Sequence, residues 1–159
     1  MSELHAVAKK MVEKGKGLLA VDESTPTCTK RFESIDTEST AHNRNVYRNM
    51  LMTAQDIEKY ISGIILFDET FHQSELSSGL TFPEYLTSKD ILPGIKVDLG
   101  LKDFGSREKI TTGLDDLSER LGKYYALGAR FAKWRAVINI GEDIPSSACI
   151  LENAIVLAK

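Results

Sequence analysis

The sequence predicts an α/β fold with a parallel sheet, and three observations lead there. Short apolar runs rich in Ile, Val, Leu and Phe alternate with stretches of helical periodicity. Gly, Pro or polar residues bound each run. No repeat, low-complexity tract or polar linker divides the 159 residues, so one domain over 1–159 is expected. Strands separated by helices pair in parallel through right-handed crossovers.

The N-terminal stretch MSELHAVAKKMVEKGKG reads as a helix of mixed charge, with no apolar core of a signal peptide. The first strand follows Gly15 and Gly17 at residues 18–22. Thr25 then Pro26 reads as a helix cap with proline at the first helical position, where its missing N–H costs nothing. Over residues 40–54, Val46, Tyr47, Met50, Leu51 and Ala54 share one helical face and are expected to form its apolar stripe. The second strand is read at 61–67 and the third at 94–98, with a short helix starting at Phe82-Pro83 between them. Leu114, Leu117, Leu121 and Tyr124 have helical spacing, and Gly128 stops that helix. The fourth strand is read at 130–137. After Pro145 and Ser146, a last stripe runs through Leu151, Ala154, Ile155 and Ala158. The pattern continues to Lys159 without a stop signal, so more chain is expected to follow.

Composition narrows the function. Twenty Lys and Arg against 23 Asp and Glu give a net charge of -3, which argues against a nucleic-acid surface. No apolar run is long enough to cross a bilayer, so no membrane partner is expected. Cys28 and Cys149 make no disulfide framework and suit a reducing compartment, the cytoplasm. His5, His42 and His72 lack metal-ligand spacing and read as surface residues, so no metal is expected. KGKG is not a Walker loop, and no G-x-G-x-x-G occurs.

The informative residues are charges at strand ends. Alternation places Leu18, Ala20 and Asp22 on one face of the first strand. Lys96 and Asp98 share a face of the third, and Phe131, Lys133 and Arg135 share a face of the fourth. A strand buried on both sides carries nearly continuous Val, Ile and Leu. A single strand charge is explained by one wet face of the sheet. Asp22, Lys96 and Lys133 at comparable depth on three strands instead suggest a rim that takes an anionic or carbonyl substrate. Arg31 and Arg44 read either as exposed helix charges or as reaching that rim. Trp134, opposite Lys133, reads as packing against a helix.

At these residues the sequence resembles class I (Schiff-base) fructose-bisphosphate aldolase, in order along the whole chain. KGKGLLAVDES at 14–24 resembles the family's first-strand motif, and TKRFESI at 29–35 with Asn43-Arg44 its following helices. SGIILFDET at 62–70 and PGIKVDLG at 93–100 resemble its second and third strands. GLDDLSERLGKYYALGARFAKWR at 113–135 is similar to its third helix and fourth strand. The resemblance implies the N-terminal half, about four βα units, of a TIM (β/α)₈ barrel with its site at the C-terminal rim. It implies reversible aldol cleavage of fructose 1,6-bisphosphate to dihydroxyacetone phosphate and glyceraldehyde 3-phosphate, a glycolytic and gluconeogenic step needing no cofactor.

By the same resemblance Asp22 acts in proton transfer, Lys96 is a substrate-site lysine, and Lys133 stands beside the reactive amine. A neighbouring cation lowers an amine's pKa and frees it as a nucleophile. Arg31 matches a substrate-phosphate arginine, and Arg44 and Arg135 match further substrate-site arginines. The family's acid–base glutamates, its imine-forming lysine and its later phosphate site belong to strands five to eight, beyond the resemblance. Leu99 stands where many members carry lysine, and Thr25-Pro26 is less glycine-rich than many relatives. Four strands alone would leave two sheet edges and expose Leu18, Ala20 and Phe131. The expectation is therefore a chain inactive by itself. Its partners would be a phosphorylated sugar and either a second copy or a complementary half-barrel. The alternative is a non-catalytic half-barrel or a truncated product.

Overall fold

The structure, a computed structural model, describes residues 2–159. It divides into two compact units, Met1–Lys96 with Tyr124–Ala132, and Val97–Lys123 with Lys133–Lys159.

The first unit is built on a sheet. Helix α1 (Glu3–Met11) leads, with Ser2 as its N-cap accepting from the His5 N–H. Strand β1 (Gly17–Val21) is followed by α2 (Thr25–Glu33), α3 (Ala41–Met52), a 3-10 turn (Ile57–Lys59) and β2 (Ile61–Leu66). Then come α4 (Asp68–Phe71), α5 (Phe82–Ser88) and β3 (Leu92–Lys96). After two further strands described below come helix α6 (Leu117–Ala126) and strand β6 (Phe131–Lys133), of which Tyr124–Ala126 and Phe131–Ala132 belong to this unit. The sheet order is β1-β2-β3-β6, and β1–β2 and β2–β3 are parallel. The α/β fold with a parallel sheet is the one read from the alternation of runs.

Residue type explains the two faces of this sheet. Val21, Ile64, Leu66 and Ile95 alternate onto one face and are buried, as are Phe71, Phe82 and Leu86 of the helices. The other face carries Leu18, Ala20, Ile65, Leu92 and Phe131, none of them buried; Leu18 is 42% exposed. This is the exposure expected of Leu18, Ala20 and Phe131. Two glycines shape that face. A Cβ on Gly94 would lie 2.3 Å from the Phe131 ring, and one on Gly63 2.9 Å from Leu18 Cδ2 and 3.0 Å from Phe131 Cε1. The ring therefore lies where only hydrogen fits beneath it.

Several boundaries differ from the sequence reading. Ser24, not Thr25, is the N-cap of α2, and Thr25 is already helical. Helix α5 opens on a full capping box, in which Thr81 Oγ1 accepts from the Glu84 N–H and the Glu84 carboxylate from the Thr81 N–H. The third strand starts two residues early and ends at Lys96, and the fourth is cut to three residues. Gly128, at φ +106, stops α6 as expected.

The stripe expected on α3 is corrected. Val46 is 42% and Met50 61% exposed, while Arg44, Arg48 and Met52 form the buried face at i, i+4, i+8. A carboxylate waiting beneath that face outweighs the apolar periodicity.

The second unit contains a hairpin absent from the sequence reading. Strands β4 (Leu101–Phe104) and β5 (Glu108–Thr111) pair antiparallel, Leu101 opposite Thr111 and Phe104 opposite Glu108. A three-residue loop with Gly105 at φ +67 joins them, a geometry that favours glycine. Helix α7 (Ser147–Ala158) starts at the N-cap Ser146, whose Oγ accepts from the Cys149 N–H at 3.1 Å. The stripe expected on α7 is also corrected. Leu151 is 61% exposed and Ile155 39%, and the buried residues are Cys149 and Asn153.

Candidate functional site

In the first unit, register builds the site. Val21 pairs with Leu66 and Leu66 with Ile95, so the next level holds Asp22, Phe67 and Lys96. Alternation puts these on the face of Leu18, Gly63 and Gly94. Asp22 and Lys96 are thus two parallel strands apart, about 10 Å between backbones, at the C-terminal edge of the sheet. Both are half-buried and both are engaged by neighbouring groups.

The turn after Asp22 is polar and held from several sides. The Glu23 carboxylate pairs with Arg31 of α2, and Tyr47 Oη of α3 donates to it at 3.3 Å. Tyr47 Oη also accepts from Arg31 Nη1 at 2.8 Å. The Arg31 side chain is 53% exposed, and the Glu23 charge raises its already high pKa. Burial of Tyr47 pushes its phenol up. Ser24 Oγ meets Thr27 Oγ1 at 3.1 Å.

Arg44 is placed differently. It is 8% exposed, and its Nε and Nη2 donate to Glu69 at 2.9 Å and 2.6 Å while Nη1 bonds Ser39. Arg48, fully buried, donates Nη1 to Glu69 Oε2 at 2.6 Å and Nη2 to the Glu23 carbonyl at 3.0 Å. Two guanidinium groups on one carboxylate hold Glu69 down to about 2, with the Arg44 hydrogen bonds the largest cause.

The second unit holds Lys133 and Arg135. The Lys133 carbonyl accepts from the Val97 N–H at 3.0 Å, and the residue makes a further interaction with its surroundings. Arg135 is exposed but its backbone is clamped. Its N–H donates to the buried Asp98 carboxylate at 3.3 Å, and its carbonyl accepts from Thr111 Oγ1 at 2.8 Å. Arg120 straps the same region, donating to the Val97 carbonyl at 3.0 Å and to the Gly113 carbonyl. The indole N–H of Trp134 is buried without a hydrogen-bond partner.

The structure thus aligns Asp22 with Lys96, and sets Arg31 beside the Asp22 turn through Glu23. Arg44 belongs to the Glu69 cluster, and Lys133 and Arg135 to the second unit. Sequence reasoning missed Glu23, Arg48 and Glu69, read Tyr47 only as part of an apolar stripe, and read Asp98 only as sharing a face with Lys96. The available signal was Arg44 and Arg48 spaced i, i+4 on a helix, which an apolar-stripe reading passes over. Among the described residues, no group of three or more His, Cys, Asp or Glu is placed to hold a metal ion, and no helix is long and apolar enough to cross a membrane.

An acid and a lysine on one level at the carboxyl edge of a parallel sheet define an α/β protein with its site at that edge, as in open sheets and barrels alike. Comparison with known proteins fixes the family. The family model described as fructose-bisphosphate aldolase class-I matches residues 3–159. The chain belongs to the class-I fructose-bisphosphate aldolase family. It is 52% identical over 161 residues to the "Probable fructose-bisphosphate aldolase class 1" of Xanthomonas axonopodis pv. citri, covering 100% of this chain and 48% of that protein. It is 47% identical to fructose-bisphosphate aldolase 2 of Caenorhabditis elegans, covering 99% of this chain and 43% of that protein. A solved fructose-bisphosphate aldolase from Plasmodium falciparum superposes with a TM-score of 0.93 at 46% identity, over 98% of this chain and 46% of that one. The chain therefore spans about half the length of the relatives it matches, and its fold is that of about half an aldolase TIM barrel.

Proposed function

We propose that this chain supplies the proton-handling and part of the substrate-holding half of an aldolase site. The reaction is the reversible cleavage of fructose 1,6-bisphosphate to dihydroxyacetone phosphate and glyceraldehyde 3-phosphate, through a lysine imine and without a metal. The observation that carries this reading is the shared level of Asp22 and Lys96 at the C-terminal edge, in a chain of the aldolase family. Asp22 moves the proton, and Lys96 and Lys133 hold the substrate's negative charge and depress a neighbouring amine's pKa. Arg31 is exposed and turns from Glu23 to a phosphate. Arg135 presents its guanidinium from a backbone clamped by Asp98 and Thr111. Arg44 serves through the carboxylate it already holds.

The imine-forming lysine of the family has no counterpart among the motifs matched here, so these 159 residues do not complete the reaction. Borohydride trapping with dihydroxyacetone phosphate tests this. No stable adduct is expected, and a covalent adduct on this chain overturns the half-site reading. Restored turnover on adding a chain with strands five to eight supports it. Both cysteines are free thiols, consistent with a reducing compartment such as the cytoplasm.

The exposed inner face and the edge of β1 favour a second reading, a half-barrel that associates with a copy of itself or with a complementary half. A sharp monomer peak in size-exclusion chromatography, with a cooperative melt, contradicts it.

A further inference from the structure

We propose that Arg48 is a positioning residue that sets the turn carrying Asp22; this rests on the functional reading above. Four observations converge on it. Arg48 has no exposed surface, although it lies on a helix whose apolar Val46 and Met50 are exposed. Its Nη2 donates to the Glu23 carbonyl at 3.0 Å, and that carbonyl belongs to the Glu23–Ser24 peptide group, one residue past Asp22. Its Nη1 donates to Glu69 Oε2 at 2.6 Å, and Glu69 lies on α4 directly after β2. Its guanidinium carbon lies 5.8 Å from the centroid of the Phe67 ring, the residue level with Asp22 and Lys96.

One planar fork therefore ties the ends of β1 and β2 together at the edge where the candidate site lies. The choice of residue is informative. Its Nε–H is buried without a hydrogen-bond partner, so the group is not placed there for its own satisfaction. A Met or Leu of similar volume would fill the site without a buried charge. What an apolar residue cannot do is hold a carbonyl and a carboxylate at fixed separation. Lysine, a point charge on a flexible stem, meets one acceptor or the other.

Arg44 is the internal control. It shares Glu69 but bonds Ser39, with no contact to the Glu23 carbonyl. Both arginines therefore stabilise the cluster, and of the two it is Arg48 that reaches the backbone of the turn.

The test compares Arg48→Lys, Arg48→Met and Arg44→Met in the whole chain by NMR. The Ser24 amide nitrogen, bonded to the Glu23 carbonyl carbon, reports the hydrogen bond. Arg48→Lys and Arg48→Met are expected to shift that nitrogen and broaden the signals of residues 22–24 while those of β2 stay in place. Arg44→Met is expected to lower the urea midpoint and leave residues 22–24 unchanged. Should Arg48→Met fail to fold, Arg48→Lys carries the test. In any preparation of this chain that turns over fructose 1,6-bisphosphate, Arg48→Lys is expected to lower kcat about tenfold at unchanged KM. The proposal is overturned if Arg48→Lys lowers the urea midpoint but leaves Ser24 and its neighbours at wild-type positions. It is equally overturned if Arg44→Met perturbs them as much. The NMR readout needs no turnover and the borohydride test does not involve Arg48, so the two readings fail separately.

Discussion

The two compact units solve the same problem by different means. The first buries a sheet face under helices, with Val21, Ile64, Leu66, Phe71, Phe82 and Leu86 sealed from water. The second has few sealed apolar side chains, Val97, Ile110 and Cys149, and α7 leaves Ile150, Leu151 and Leu157 largely exposed. Its definition comes from directed hydrogen bonds instead. Glu108 accepts from both the N–H and Oγ of Ser146 at 2.7 Å, Arg120 straps two carbonyls, and Thr111 holds Arg135. The difference teaches where each kind of substitution will be felt. In the first unit, damage comes from steric and buried-charge errors; in the second, from loss of single polar locks. The chain has one tryptophan, Trp134, in the second unit, so its fluorescence follows that unit while far-UV circular dichroism follows both.

The largest effect is expected from Glu69→Ala. It strips the counter-charge from the fully buried Arg48 and should cost about 3–5 kcal/mol in urea unfolding followed by circular dichroism. A loss below about 1 kcal/mol would mean that water reaches the cluster.

Acid breaks the same cluster without mutation. Glu69 is lowered from 4.5 to about 2 by its arginines. A depressed carboxyl contributes stability that is full above the unfolded value, and that stability is lost as pH falls from about 4.5 towards 2. The loss is up to about 3 kcal/mol. In Glu69→Gln this acid limb should shrink, and an unchanged limb would assign it to other carboxylates such as Glu75, likewise held at about 2 by the Ser77 and Ser78 groups.

Gly94→Ala tests the inner face. Its methyl meets the Phe131 ring at 2.3 Å and should cost about 1–3 kcal/mol. Adding Phe131→Leu should recover part of that loss, and strict additivity of the two changes would disprove the contact.

Ser146→Ala removes the N-cap of α7 and should cost about 1 kcal/mol, with the Trp134 fluorescence midpoint shifting. An unmoved midpoint would show that Glu108 alone holds that end. The smallest effect is expected from Leu151→Lys, less than about 0.5 kcal/mol, because the side chain is already 61% exposed. A larger loss, together with a change in elution volume, would show that this helix face is covered by a second copy.

Much of the fold was legible because period and punctuation are local properties. The strand runs at 18–22 and 61–67 are recovered within one residue, and Gly128 ends its helix as read. The hairpin at 101–111 was not read, because its strands, Leu-Lys-Asp-Phe and Glu-Lys-Ile-Thr, are four residues each and give little alternation to detect. In the site, Asp22 and Lys96 were legible as charges ending apolar runs. Arg48 and Glu69 were not, because each looks like an ordinary surface charge until the other is placed against it.

By itself, then, the sequence settled the α/β class, the order of the four strands of the main sheet along the chain, the family resemblance and the charges at the strand ends, all written in spacing along one chain. Only the tertiary structure decided which face of α3 is buried, that Asp22 and Lys96 share a level, and that Phe131 covers Gly94. Those outcomes depend on register and on counter-charges from residues distant in sequence, and periodicity carries no information about either.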